Sequence, residues 1–285
     1  MAKALIVNVD DFGLTSGVNA AVEELFVAGS VTSATLLVAG DAVSEAAAIA
    51  KRHPRLGVGL HFNLTLGRPC APPGEVSSIV DSDGRLFPRK RLVARAIRGQ
   101  VEPDDVRREL AAQVDAFHSL GVEMSHVDSH QHAHVVPRVF DAVAEFCEQR
   151  RLPLRMPRVW IPDGGRPTLK RSLTRLLLGW RLDGLDQKWS SRLVTNNTFA
   201  SVFDSVMTAA AVTGEVYRNI LAAGLDGPLE LMVHPAIVDR QLEGLTRITA
   251  YSEAEFRVLR TLDLGQIAAE FGYRPSTYSD AFAEA

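Results

Sequence analysis

Short apolar runs recur along the chain, each closing on a polar or ionisable side chain and each followed by residues with helical spacing. The runs are Ala4 to Val9, Ala34 to Val38, Gly57 to Leu60, Met124 to Val127 and Leu229 to Val233. Their hydrophobicity is continuous rather than alternating, which predicts strands buried on both faces, as in a parallel sheet or barrel wrapped by helices. Helices fit between them. Gly17 to Ala28 puts Val18, Ala21, Val22 and Leu25 on one face, with Thr15 or Ser16 as cap and Gly29 as stop. Asp41 to Arg52, Pro103 to Leu120 and Pro137 to Gln149 repeat the pattern, and Pro103 followed by two acids is a typical helix start.

Two segments interrupt the alternation. Arg68 to Gln100 begins Pro-rich and turns basic, and Pro162 to Thr198 is Gly/Pro-rich and then Leu/Arg-rich. In a barrel, long insertions of this kind sit on the face that carries the active site. The reading is one domain, residues 1–285, with insertions at about 68–100 and 162–198, and a frayed tail from Tyr278 to Ala285.

Composition narrows the class. With 285 residues, 46% of them hydrophobic, the chain can bury a sizeable core. A net charge of −3 gives no global field to gather nucleic acid, and no nucleic-acid partner is expected. Cys70 and Cys147 share no metal-ligand or redox spacing and read as packing residues of a reducing compartment. No stretch reaches the roughly 20 apolar residues of a membrane span. A cytoplasmic protein is the expectation.

The candidate chemistry lies where apolar runs end. Asn8-Val9-Asp10-Asp11-Phe12-Gly13 sets two carboxylates side by side. Neighbours on a strand point to opposite faces, but a turn at the strand's end lets both meet one site; a helix N-cap is the ordinary alternative. Gly59-Leu60-His61 closes the third strand as the acids close the first, and strand ends on one barrel face converge. The segment His126-Val127-Asp128-Ser129-His130-Gln131-His132-Ala133-His134 holds four histidines in nine residues, for which a metal is the economical explanation and a solvent-exposed histidine-rich loop the plain one. In Val233-His234-Pro235 the proline keeps His234 out of helical geometry, and His234 is the candidate general acid.

Together, Asp10-Asp11-Phe12-Gly13, Gly59-Leu60-His61-Phe62, His126-Val127-Asp128-Ser129-His130 and Val233-His234-Pro235-Ala236 resemble the YdjC-like (ChbG/HpnK) carbohydrate deacetylase family. Val31 to Thr35 and Leu154 to Arg158 extend the likeness, which runs from Leu5 to about Leu262. The resemblance implies an α/β fold, a (β/α) barrel-like domain of incomplete or distorted TIM type, that removes the N-acetyl group of an N-acetylated amino sugar with one divalent metal. It places Asp11, His61 and His130 on the metal-ligand positions, Asp10 on that of the base and His234 on that of the acid. This chain departs from it at Gln131, where the family often has histidine.

Such chemistry asks for a charge to hold Asp10, for which Arg155 or Arg158 is the candidate, and for a partner to orient a ligand histidine, for which Asp128 is the candidate unless it caps a turn. The roles of Asp10 and Asp11 are interchangeable at this stage. Two imidazoles and a carboxylate suit Zn²⁺ or Mg²⁺ first, with Mn²⁺, Co²⁺ and Fe²⁺ admissible. The same ligand set fits a non-haem iron oxygenase, which has no use for Asp10 or His234, and a sugar-binding barrel without turnover is a third reading. The Leu/Arg-rich segment Thr168 to Leu185 reads as an amphipathic helix, either packed over the barrel or at a homodimer interface, or touching a membrane surface that carries a lipid-linked substrate.

Overall fold

The structure, a computed structural model, describes residues 2–160, 179, 181–196 and 198–283. Seven parallel strands form one curled sheet: β1 (Lys3–Phe12), β2 (Ser33–Leu36), β3 (Gly57–Phe62), β4 (Val127–Ser129), β5 (Thr198–Ser201), β6 (Leu229–Val233) and β7 (Tyr273–Pro275). The order is β4-β3-β2-β1-β6-β5, and β7 joins the start of β1. Outside it lie α1 (Ser16–Val27), α2 (Val43–Arg52), α3 (Arg89–Ile97), α4 (Pro103–Ser119), α5 (Phe140–Arg150) and shorter helices toward the C-terminus.

The expected incomplete α/β barrel is therefore present, and its seam is specific. Between the edge strands β4 and β5 runs an extended segment that bonds to both sides through single rungs: Leu154 bridges Val127 and Thr195, and Val159 bridges Phe199. This segment carries Arg155 into the interior, fully buried.

Alternation along each strand decides what the interior contains. Leu5, Val7 and Val9 join the hydrophobic core that includes Val18, Val22 and Leu25 of α1. Asn8 and Asp10, two apart and buried, share the opposite face. In parallel register the same face carries Glu230 and Met232 of β6, and His61 sits beside Asp128 across β3 and β4. Gly59, one step below His61, makes room: a Cβ there would lie 2.5–2.7 Å from the ring atoms of His126.

Local capping follows the sequence where side-chain chemistry is decisive. Thr15 caps α1 by accepting from Val18 N–H, and Gly29 ends it with φ +79°. Two expectations need correction. The C-terminal tail is not frayed through the described residues: Thr277 and Asp280 form a capping box, and Tyr278 is fully buried. Cys147 packs in the core, but Cys70 is exposed.

Of the second insertion, much lies outside the described residues, including most of the proposed amphipathic segment. In its described part Leu182, Leu185 and Trp189 are buried, and Trp189 Nε1 donates to Asp141 of α5, so this part packs over the barrel. Among the described residues no helix is long and apolar enough to cross a membrane.

Candidate metal and acid–base site

β1 solves the problem of aiming two adjacent acids at one place by a bulge. Its register with β2 shifts between Val9 and Phe12, and Asp11 takes a left-handed φ of +65°. The extra residue turns Asp11 toward the strand ends while Asp10 keeps facing the barrel axis. A non-glycine residue held in this region is mildly strained, which is common where a side chain must be aimed. Gly13, at φ +90°, completes the turn, and its N–H donates to Asn19.

Asp11 faces two imidazoles. Its Oδ1 lies 3.3 Å from His61 Nε2 and 3.9 Å from His130 Nε2. The rings of His61 and His130 stand 5.8 Å apart, at 71° to one another. Each ring is held from behind: His61 Nδ1 meets Asp128 Oδ1 at 2.7 Å, and His130 Nδ1 meets the Thr65 hydroxyl at 2.8 Å. An ionised carboxylate only accepts, so His61 Nδ1 carries the proton and its Nε2 is directed at Asp11. Thr35 tightens the same group, donating its hydroxyl to Asp128 Oδ2 at 2.9 Å and accepting from Asn8.

Asp10 has a different environment. The Arg155 guanidinium grips it through both terminal nitrogens, at 2.8 and 2.7 Å. The same guanidinium reaches Asp128 Oδ2 at 2.7 Å and Glu230 Oε1 at 2.7 Å from Nε. His234 Nε2 lies 3.8 Å from Asp10 Oδ2, from the end of β6. Its backbone N–H is anchored by Glu255.

These placements set the charges. Burial pushes the Asp10 carboxyl up, but Arg155 with His61 and His234 outweighs it and holds the acid well below the usual carboxylate range. Burial likewise opposes ionisation of Asp11, and its histidine neighbours bring it down to about 2. For His61, burial favours the neutral ring, yet Asp128 and Asp11 on its two nitrogens win and raise it. His130 is lowered, chiefly by burial.

The residues fit a divalent cation. Asp11 Oδ1 is buried without a hydrogen-bond partner among the described residues, which is the state of a donor oxygen that a cation satisfies. Asp10, His61 and Asp128 also offer ligand atoms within 4.8 Å of one another.

The histidine cluster divides. It is neither one helix nor one strand: after extended residues to Ser129, Gln131 and His132 take left-handed φ of 54° and 53°. His130 turns to Asp11. His126 instead stacks on Tyr278, and His134 sits between the Ser129 hydroxyl and the Arg155 carbonyl, burial lowering it to about 3. His132 packs edge-on to Phe199, and Gln131 is exposed. Arg158, offered with Arg155 as holder of Asp10, pairs instead with Asp183 and Asp186. The spacing already separates the two arginines, since residues three apart on an extended chain point to opposite faces. Thr65, Glu230, Glu255 and Tyr278 join the site without a local sequence signal, whereas Thr35 lies in a stretch that extends the family likeness.

Fold and site thus define an incomplete α/β barrel whose strand ends gather a carboxylate and two imidazoles beside an arginine-held acid. The chain belongs to the YdjC-like protein family, which matches it over residues 4–270. It is 35% identical over 282 residues to a carbohydrate deacetylase of Geobacillus stearothermophilus, covering 99% of both chains. It is also 35% identical over 286 residues to a chitooligosaccharide deacetylase of Salmonella typhimurium, covering 98% of this chain and all of that one. Among solved structures, a protein of Enterococcus faecalis V583 with the provisional description cellobiose-phosphate cleavage protein superposes with a TM-score of 0.80 at 24% identity, over 98% of each chain.

Proposed function

We propose that this chain is a metal-dependent hydrolase that removes the acetyl group from an N-acetylated amino sugar, in an oligosaccharide or glycoconjugate, releasing acetate and the free amine. The observation that carries the reading is the division of labour between adjacent acids: Asp10 is committed to Arg155, whereas Asp11 presents an unpartnered oxygen to two imidazoles. Relatives that this chain matches over nearly its whole length are named as carbohydrate and chitooligosaccharide deacetylases, which supports the substrate class.

In this reading Asp11, His61 and His130 hold the cation. The group of Asp10, His61 and Asp128 is the weaker choice, because the Arg155 guanidinium already binds both carboxylates and its positive charge opposes a dication there. Two nitrogens and one oxygen suit Zn²⁺, with Mg²⁺ close behind and Mn²⁺, Co²⁺ or Fe²⁺ admissible. A bound dication supplies Lewis acidity, which polarises the acetamido carbonyl and makes water a nucleophile at neutral pH.

The protein's own groups do the rest. Asp10, kept ionised by Arg155 and next to the ligand Asp11, takes the proton of the attacking water. Arg155 fixes both its oxygens, so the base meets the water in one orientation. His234, on the other side of Asp10, delivers a proton to the departing nitrogen, without which the collapsing adduct expels oxygen instead of amine. Asp128 and Thr65 keep the two imidazoles aimed.

The test is acetate release from acetylated chito-oligosaccharides and other N-acetylglucosaminides by purified protein supplied with single metals. Release that stops on chelation and returns with metal is the expected result. Absence of release across that panel overturns the reading.

A further inference from the structure

The mechanism uses Asp10, Asp128 and Arg155 but leaves unexplained why a further carboxylate, Glu230 of β6, is buried against the same guanidinium. Arginine has five N–H donors in a rigid fork. Here Nε donates to Glu230 and both terminal nitrogens donate to Asp10, while one terminal nitrogen also pairs with Asp128 and the other with Glu230. Glu230 Oε1 therefore carries two of the contacts, at 2.7 and 2.6 Å. Its other oxygen, Oε2, accepts from the Tyr278 hydroxyl.

Tyr278 comes from the last described helix, Tyr278–Ala281, which packs against β1 just after Ser276, whose N–H donates to the Leu5 carbonyl. It is fully buried, stacked on His126 at 3.8 Å between ring centres and 14° between planes, with Phe282 on its ring as well. Glu230 is fully buried too. Without the Tyr278 hydroxyl, Oε2 loses its hydrogen-bond donor in a dry site, where an ionised oxygen is not tolerated. Glu230 must then turn or take up a proton, and either change slackens its hold on Nε and one terminal nitrogen of Arg155.

We infer that Tyr278 and Glu230 are positioning residues for the deacetylation: the C-terminal helix, acting through Glu230, sets the guanidinium that aims Asp10. Neither residue touches the substrate. The inference rests on the proposed role of Asp10, and it assigns to the chain's last helix a part in turnover beyond stability. Burial raises the Glu230 carboxyl while Arg155 and the Tyr278 hydroxyl pull it down, so loss of that hydroxyl moves it toward the protonated form.

The test compares Tyr278→Phe, which keeps the ring and its stacking, with Glu230→Gln and the double variant in the metal-loaded full chain. Tyr278→Phe is expected to lower kcat between about tenfold and a hundredfold, the scale of a misaimed catalytic group, with KM within twofold of wild type. The double variant is expected to be no slower than the slower single one, because both act on one guanidinium. Phe282→Leu, which disturbs the same packing but no hydrogen bond of the relay, should leave kcat within about twofold. A kcat for Tyr278→Phe equal to wild type, or equal losses in Tyr278→Phe and Phe282→Leu, overturns the inference.

Crystal structures of wild type and Tyr278→Phe give a readout that does not need turnover. The inference requires the Arg155 guanidinium and the Asp10 carboxylate to shift or lose contacts in the variant; unchanged contacts refute it. If wild type releases no acetate, the functional reading fails, and this second readout still decides the relay.

Discussion

At the scale of single residues, adjacent carboxylates with different surroundings should fail differently. Asp10→Asn keeps the shape but removes the charge that accepts a proton, so kcat should fall by about 10²–10⁴-fold with metal affinity retained. Asp11→Asn should instead weaken metal retention, read by metal content after gel filtration, and activity should recover in part at high metal concentration. Equal metal loss in both variants would mean that the roles are not separate. A pH prediction attaches to Glu255, whose carboxyl burial raises from 4.5 to about 7, against a smaller opposing pull from His234. A folded-state value above the unfolded one makes the contribution to stability fullest below pH 4.5 and lost as pH rises through 7. Glu255→Gln keeps an acceptor for the His234 N–H and removes the ionisation, so its Tm should fall less than that of wild type between about pH 5 and pH 8. Parallel Tm curves for the two proteins would contradict this.

At the scale of elements, what can be read from the sequence depends on whether the signal is local. Asp11, His61 and His234 lie within one residue of the ends of β1, β3 and β6, as the apolar runs indicate, because a buried strand announces itself and its end is where polar side chains collect. The bulge in β1 was not legible, since φ of +65° at Asp11 is imposed by register with β2 and not by any glycine. The order at Tyr278 is not legible for a related reason: a short tail looks frayed until the His126 ring and the Glu230 carboxylate that receive its ring and hydroxyl are known. The histidine run is shared out among a contact with Asp11, an aromatic stack and a backbone carbonyl. One element-scale prediction follows from that stack. Gly59→Ala places a methyl 2.5–2.7 Å from the His126 ring, which is clamped against Tyr278 and has nowhere to go. A loss of about 1–3 kcal/mol in urea unfolding, the usual scale of overpacking, is expected; an unaltered midpoint would show that the ring gives way.

For the whole molecule, the proposed cation would be a cross-brace. Its proposed ligands come from β1, the end of β3 and the turn after β4, so binding should stabilise the folded chain by about 2.7 kcal/mol at a hundredfold excess over Kd. Chelation should therefore lower Tm as well as abolish acetate release, and an unchanged Tm would argue against a site shared between strands. The seam between β4 and β5 has a consequence for how the molecule comes alive. β1 to β4 pair through continuous ladders, but Arg155 arrives on a segment held by single rungs to Val127 on one side and to Thr195 and Phe199 on the other. Until that zip closes, Asp10 lacks the guanidinium that grips both its oxygens. Refolding followed by far-UV circular dichroism should consequently run ahead of recovered turnover: the catalyst is born at the moment the ring is fastened.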